Sequence, residues 1–243
     1  MISFLGKCVQ NFVRSIKYIL SGNANFRSVI SQAAMISYDS LSISLIIVFI
    51  ASAVITLQVS KQFLMSGAES YVGGFIAVAL IREIAPGFAA LAIGARAGTA
   101  ICAQVANMQV TEQIDAIKTL NVDPVGYYFA PRLIAGAVTV PMVVVIAEFL
   151  GIVGGIVVAY FAIGLHPNRF INAVGLFIAA KDIYISLLKA FIFGILITLV
   201  CATQGYETKG GAKDVGISTT QSAIKCTFYL LAADFFVNLL FYL

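Results

Sequence analysis

The sequence predicts an all-α membrane protein with about five transmembrane helices and an N-terminal interfacial amphipathic helix. Composition is the first reason: hydrophobic residues make up 60% of the 243-residue chain and charged residues 11%, against ~45–50% and ~25% in soluble domains. The mean hydropathy of +0.99 is the second: a soluble fold of this size could not cover so much apolar surface, whereas a bilayer can. Spacing is the third: apolar runs recur with polar interruptions of only ~15–20 residues, where a soluble domain needs ~50. The chain therefore reads as a single domain over 1–243, with an interfacial region at 1–37 and a transmembrane region at 39–243.

The elements follow in order. Phe4, Leu5, Val9, Phe12, Val13, Ile16 and Leu20 recur at helical steps, with Lys7, Asn11, Arg14 and Tyr18 on the other side. That pattern suits a helix lying in the membrane interface. Lys7, Arg14 and Lys17 interrupt the segment, so it does not read as a signal peptide. Asp39 and Ser40 are placed to cap a first span from Leu41 to about Leu64. A second runs from about Gly73 to Val105, interrupted by Arg82-Glu83 and Pro86-Gly87. Met108–Leu120 is polar and helical in pattern, too polar to cross. Pro124 opens a third region, whose apolar part, Leu133–Phe161, contains Pro141 and Glu148. Residues 164–182 read as a polar loop, Ile183–Ala202 as the fourth span, 204–218 as a Gly-rich loop and Thr219–Tyr242 as the fifth span.

Five spans put the termini on opposite sides. With the N-terminus inside, Lys7, Arg14, Lys17, Arg27, Arg96, Lys118, Arg132, Lys209, Lys213 and Lys225 fall on the cytoplasmic side. Lys61, Arg169, Lys181 and Lys189 fall outside. The positive-inside rule therefore selects a cytoplasmic N-terminus.

Several functions are excluded by what the sequence lacks. Basic residues are scattered, so nucleic acid is not indicated. Cys8, Cys102, Cys201 and Cys226 form no CxxC pair and His166 is the single histidine, which gives no metal or redox motif. No cofactor is indicated. The Gly205–Lys213 stretch lacks the GxxxxGK[ST] spacing that cradles phosphates, so any ATP chemistry belongs to another chain.

The informative residues are polar ones at membrane depth. Arg82, Glu83, Arg96 and Glu148 interrupt apolar runs, and such groups face protein or water. They fit either ion pairs that fix helix packing or a substrate path. Arg82 and Glu83 point ~100° apart on a helix, so each is expected to pair with another element. Gly94 and Gly98 form a GxxxG pair suited to close helix packing, within or between subunits.

From residue 82 the motifs become specific. Arg82-Glu83-Ile-Ala-Pro86, Gly94-Ala-Arg96-Ala-Gly98, Met108-Gln-Val-Thr-Glu112-Gln113-Ile-Asp115-Ala116, Asp123-Pro124 and Pro131-Arg132-Leu-Ile-Ala135 occur in order. Gly205-Tyr206, Thr208, Gly210-Gly-Ala212, Val215-Gly216 and Thr219-Thr220 follow. Together they resemble the MlaE permease family over nearly the whole chain. Gln104 stands where that family usually has a glutamate, and Asp214-Val215-Gly216 replaces its usual Gly-Val-Gly. The resemblance implies a homodimeric ABC transporter permease with two separate ATPase subunits and an MCE-domain lipid-binding partner outside. It implies movement of phospholipids or related lipids between the inner membrane and the outer envelope, in a bacterial inner membrane or a plastid inner envelope. It further implies that 108–120 is a cytoplasmic coupling helix, with Glu112, Gln113 and Asp115 meeting the ATPase.

Two other classes remain open at this stage. A stand-alone secondary transporter or channel would need an ion path, for which Arg82, Glu83, Glu148 and Asp234 are the candidates. A non-transporting assembly factor would need none. Co-purification with an ATPase distinguishes the first reading from both.

Overall fold

A hydrocarbon layer offers no hydrogen-bond partners, so a chain this apolar must satisfy its backbone within itself. It does so with helices. The computed structural model describes residues 2–22 and 25–242. In order the helices are α1 (Ile2–Leu20), α2 (Phe26–Met65), α3 (Glu69–Val110), α4 (Gln113–Thr119), α5 (Pro124–Ile163), α6 (Pro167–Phe177), α7 (Ala180–Tyr206) and α8 (Ala212–Tyr242). Five of them, α2, α3, α5, α7 and α8, are long and apolar enough to cross a membrane.

These crossings are longer than the sequence runs suggest. At 40, 42 and 40 residues, α2, α3 and α5 each reach ~60 Å, twice the ~30 Å hydrocarbon core. Their polar end turns therefore stand outside the apolar layer while remaining helical. This corrects the expected helix start at Asp39-Ser40. α2 begins at Phe26, where the Asn25 side chain accepts the Arg27 N–H at 3.0 Å. Ser40 is buried mid-helix, and the Asp39 side chain lies outside the described residues.

Other boundaries move for similar reasons. The expected 164–182 loop contains α6, started by Pro167 and by the exposed His166, whose Nδ1 accepts the Asn168 N–H at 3.3 Å. Phe170 and Ala173 bury this helix against α3, where Gly73 leaves room: a Cβ there would meet Phe170 Cγ at 2.9 Å. The expected 204–218 loop shrinks, because α8 starts at Ala212 with Asp214 accepting the Gly211 N–H at 3.0 Å. The 108–120 segment is not one helix. α3 ends at Val110, Glu112 takes a left-handed φ of 59°, and α4 restarts at Gln113.

The helices form one bundle. α2 packs along α5, and α7 lies against α3, α5 and α8. α5 and α7 approach closely at Gly136 and Gly194, where a Cβ on Gly136 would meet the Gly194 carbonyl oxygen at 2.6 Å. One end of the bundle carries α4, the other α6. α1 folds back at the α4 end, with Tyr18 over Gly126, Asn11 donating to Thr203 at 3.2 Å, and Lys7 paired with Glu207. Asn11, assigned by periodicity to the polar face, is thus a buried contact. Leu5, Val9, Val13, Ile16 and Leu20 remain exposed along the outer side of α1.

The first and last described helices begin and end at opposite ends of the bundle. We expect Ser3→Cys to be labelled from the cytoplasmic side and Tyr242→Cys from the other in intact membranes. The native cysteines are all buried, which keeps the background low. Labelling of both positions from one side would contradict this topology.

Candidate functional site

Two of the polar residues at membrane depth, Arg82 and Glu83, converge on Lys189. Its side chain is wholly buried within α7. The ammonium lies 2.9 Å from Glu83 Oε1 and 3.0 Å from Asp234 Oδ1, and donates to the Arg82 carbonyl oxygen at 2.7 Å. The last acceptor is free for a reason written in the sequence. In a regular helix the Arg82 carbonyl would accept from residue 86, but Pro86 has no N–H. The backbone answers with a π turn over Leu80–Ile84, which presents Arg82 and Glu83 to neighbouring helices.

Arg82 reaches the same helix. Its Nε donates to Asp182 Oδ1 at 2.8 Å. Asp182 is 2% exposed, and its other oxygen accepts the Ala179 N–H at 3.1 Å, so one carboxylate both caps α7 and holds α3. Two cations and three carboxylates from α3, α7 and α8 thus form one cluster. Arg82 and Glu83 pair with other elements, as their angular separation predicts. Glu148, on α5, stands in its own pair with the Ser186 hydroxyl of α7 at 2.5 Å.

Gly94 and Gly98 face inward. A Cβ on Gly94 would meet Cys226 Sγ at 3.0 Å, and one on Gly98 would meet Cys201 Sγ at 2.8 Å. They allow α3 to approach α7 and α8 of the same chain. Between them is a second π turn, Gly94–Gly98, which turns Arg96 to the exposed surface. The Thr99 hydroxyl serves the carbonyls of Ala95 and Arg96 there, at 2.7 and 3.0 Å.

At the α4 end, Ile114 is fully buried and anchors the short helix. Glu112, Gln113 and Asp115 are exposed around it. Asp115 pairs with Lys118 at 2.7 Å, and this hydrogen bond raises the Lys118 pKa. Leu120 is 73% exposed just beyond. The left-handed Glu112 costs ~1 kcal/mol or more for a side chain that is not glycine, and it sets the angle of α4.

Sequence reasoning missed Lys189, Asp182 and Ser186. Lys189 was grouped with outside loop charges, although it lies in the apolar run Ile183–Ala202. A lone lysine there was itself the signal, since an ammonium at membrane depth demands partners.

This is a bundle of membrane-crossing helices braced by an ion cluster around the buried Lys189, with no nucleotide-binding motif in its sequence. Three relatives bear the same description, "probable ABC transporter permease protein". That of Synechocystis sp. is 34% identical over 225 residues, 93% of this chain and 86% of the relative. That of Rickettsia prowazekii is 31% identical over 214 residues, 88% of this chain and 83% of its own. That of Porphyra purpurea is 31% identical over 223 residues, 92% and 85% respectively. The molecule is thus an ABC transporter permease and not itself an enzyme. Residues 29–240 match the family model Permease MlaE, and the chain belongs to the MlaE permease family.

Removing one partner of a fully buried ion pair costs about 3–5 kcal/mol, and the 45% exposure of Glu83 lowers this for the cluster around Lys189. Lys189→Met leaves Glu83 and Asp234 without a cation and should cost about 2–3 kcal/mol. Asp234→Asn keeps Glu83 on the ammonium and should cost less than half as much. Thermal unfolding of the purified variants in detergent measures both. Equal, small losses would show that the cluster does not brace the bundle.

Proposed function

We propose that this chain is the permease of a lipid-moving ABC transporter, working as a homodimer with separate ATPase subunits. The observation that carries the lipid reading is a groove of about 420 Å³ between α2 and α3. It is lined by Ile47, Ile50, Ala51, Val54, Ile55 and Phe88, all apolar. Ile50, Val54 and Phe88 are 54%, 46% and 45% exposed, so the groove lies open on the side of the bundle. Such a surface takes acyl chains and reads little of a headgroup. Two copies apposed along it enclose a larger apolar chamber.

The ion-path alternative finds less support. Glu83 and Asp234 share Lys189, Arg82 holds Asp182, and Glu148 holds Ser186. Groups already paired in this way favour a brace over a relay. Arg96, exposed at membrane depth, fits a partner subunit or a watered chamber better than bare lipid.

ATP-driven work enters at the α4 end. Glu112, Gln113 and Asp115 project from a helix held by buried Ile114, and a rigid anchor of this kind passes force to α3 and α5. The α6 end, where Met65 and Leu176 are 91% and 82% exposed, is the face for an MCE-domain lipid-binding partner. The relatives' sources fit a bacterial inner membrane or a plastid inner envelope.

A docking residue is expected to cost ≥2 kcal/mol on truncation, an exposed loop charge within ~0.5 kcal/mol. Glu112→Ala with Gln113→Ala should therefore reduce ATPase co-purification and abolish lipid-stimulated ATP hydrolysis, while insertion and dimerisation persist. Wild-type ATPase stoichiometry with full transport would overturn the coupling assignment. Lipid photo-crosslinking from Val54 and Phe88 tests the groove. Labelling equal to that at an outward residue such as Phe161 would count against it.

A further inference from the structure

Among the described residues Arg132 has no counter-ion. It stands on α5 near the α4 end and is only 4% exposed. Nη1 donates to the Tyr128 carbonyl at 2.7 Å and Nη2 to Gln104 Oε1 at 3.3 Å. Nε has no hydrogen-bond partner. Among the described residues no carboxylate pairs with it. Gln104 does not compensate, because it is neutral and its amide is turned to Met35 Sδ at 3.0 Å. A buried guanidinium in this state is costly unless an anion joins it.

A space for that anion is present. Arg132 lines a cavity of about 200 Å³ with Ser28, Gln32, Met108 and Tyr127. Gln32 Oε1 is buried without a partner. Arg132 and Gln32 thus line one cavity, and each carries a polar atom, Nε and Oε1, that no protein group satisfies. A phosphodiester whose headgroup also carries a hydroxyl or ammonium matches both. A carboxylate side chain from a protein partner matches only the first.

The position supplies the source. Arg132 is eight residues into α5, ~12 Å from its start, at the depth where headgroups meet hydrocarbon. Neighbouring α1 exposes the apolar stripe of Leu5, Val9, Val13 and Leu20, and its Arg14 and Lys17 line a second cavity with Tyr18, Ser21 and Asp123. Such a helix lies among headgroups. We propose that the Arg132 cavity binds the phosphate of a phospholipid headgroup drawn from the leaflet at the α4 end. This site is separate from the α2–α3 groove and does not depend on what the protein transports.

The test uses the full-length chain, purified and delipidated in detergent, with lipid binding read by native mass spectrometry. Phosphatidylglycerol is compared with diacylglycerol of the same acyl chains, which lacks the phosphate. Wild type should prefer phosphatidylglycerol about tenfold, the order expected of one charge-assisted hydrogen bond. Arg132→Gln should lose the preference. Gln104→Glu places a carboxylate beside Arg132 and should also lose it, with the fold retained because the buried charge is now paired. An unchanged preference in Gln104→Glu and Arg132→Gln would overturn the proposal. So would inorganic phosphate displacing the lipid at equal concentration, which would mark a free-anion site. A guanidinium that stays indifferent to lipid and is protected only by the bound ATPase would assign the cavity to a partner's acidic side chain instead.

Discussion

A buried ammonium must be surrounded by acceptors, and Lys189 gathers its acceptors from two other helices. Glu83 and the Arg82 carbonyl come from α3, Asp234 from α8. The consequence is that three helices cannot slide past one another without stranding a charge in a low-dielectric layer. In lipid, apolar side chains gain little by packing on each other rather than on acyl chains. Polar pairing and close backbone approach must therefore supply what the hydrophobic effect supplies in water.

The backbone prepares this cluster. Pro86 removes one helical donor, a π turn absorbs the mismatch, and the freed carbonyl becomes part of the lysine's shell. Asp182 shows similar economy, capping α7 and binding Arg82 with its two oxygens. Small residues complete the brace: Gly136 against Gly194, and Gly94 and Gly98 against cysteine sulfurs, let the helix axes approach closely. α4 is joined to this braced core by α3 and α5, the helices on either side of it.

Much of this was legible in the sequence because the bilayer imposes a simple code. Apolar runs gave the five crossings, and the Arg82-Glu83 pair announced a polar cluster. Helix ends were harder to read. Periodicity marks the apolar layer, not the helix, so α2 and α8 extend well into residues that look like loop. α6 was missed because its polar residues outweigh a short stripe anchored by Phe170. The break at Glu112 carries no glycine or proline to signal it. Asn11 looked solvent-facing because its partner, Thr203, is nearly 200 positions away in sequence. Lys189 was legible as an anomaly, but only the fold shows which carboxylates answer it.

The central claim is that the cluster around Lys189 braces the bundle and does not conduct. Replacing a buried ion cluster as a set by neutral groups of similar shape is often neutral or stabilising, whereas removing one member is not. Under the proposed lipid-transport reading, the direct measurement is ATP-driven lipid transfer by the reconstituted transporter carrying Lys189→Met, Glu83→Gln and Asp234→Asn together. The account predicts a folded complex that still moves lipid at a rate comparable to wild type. A triple variant that folds and binds its ATPase but moves no lipid would contradict it, and would make these charges part of the transport path.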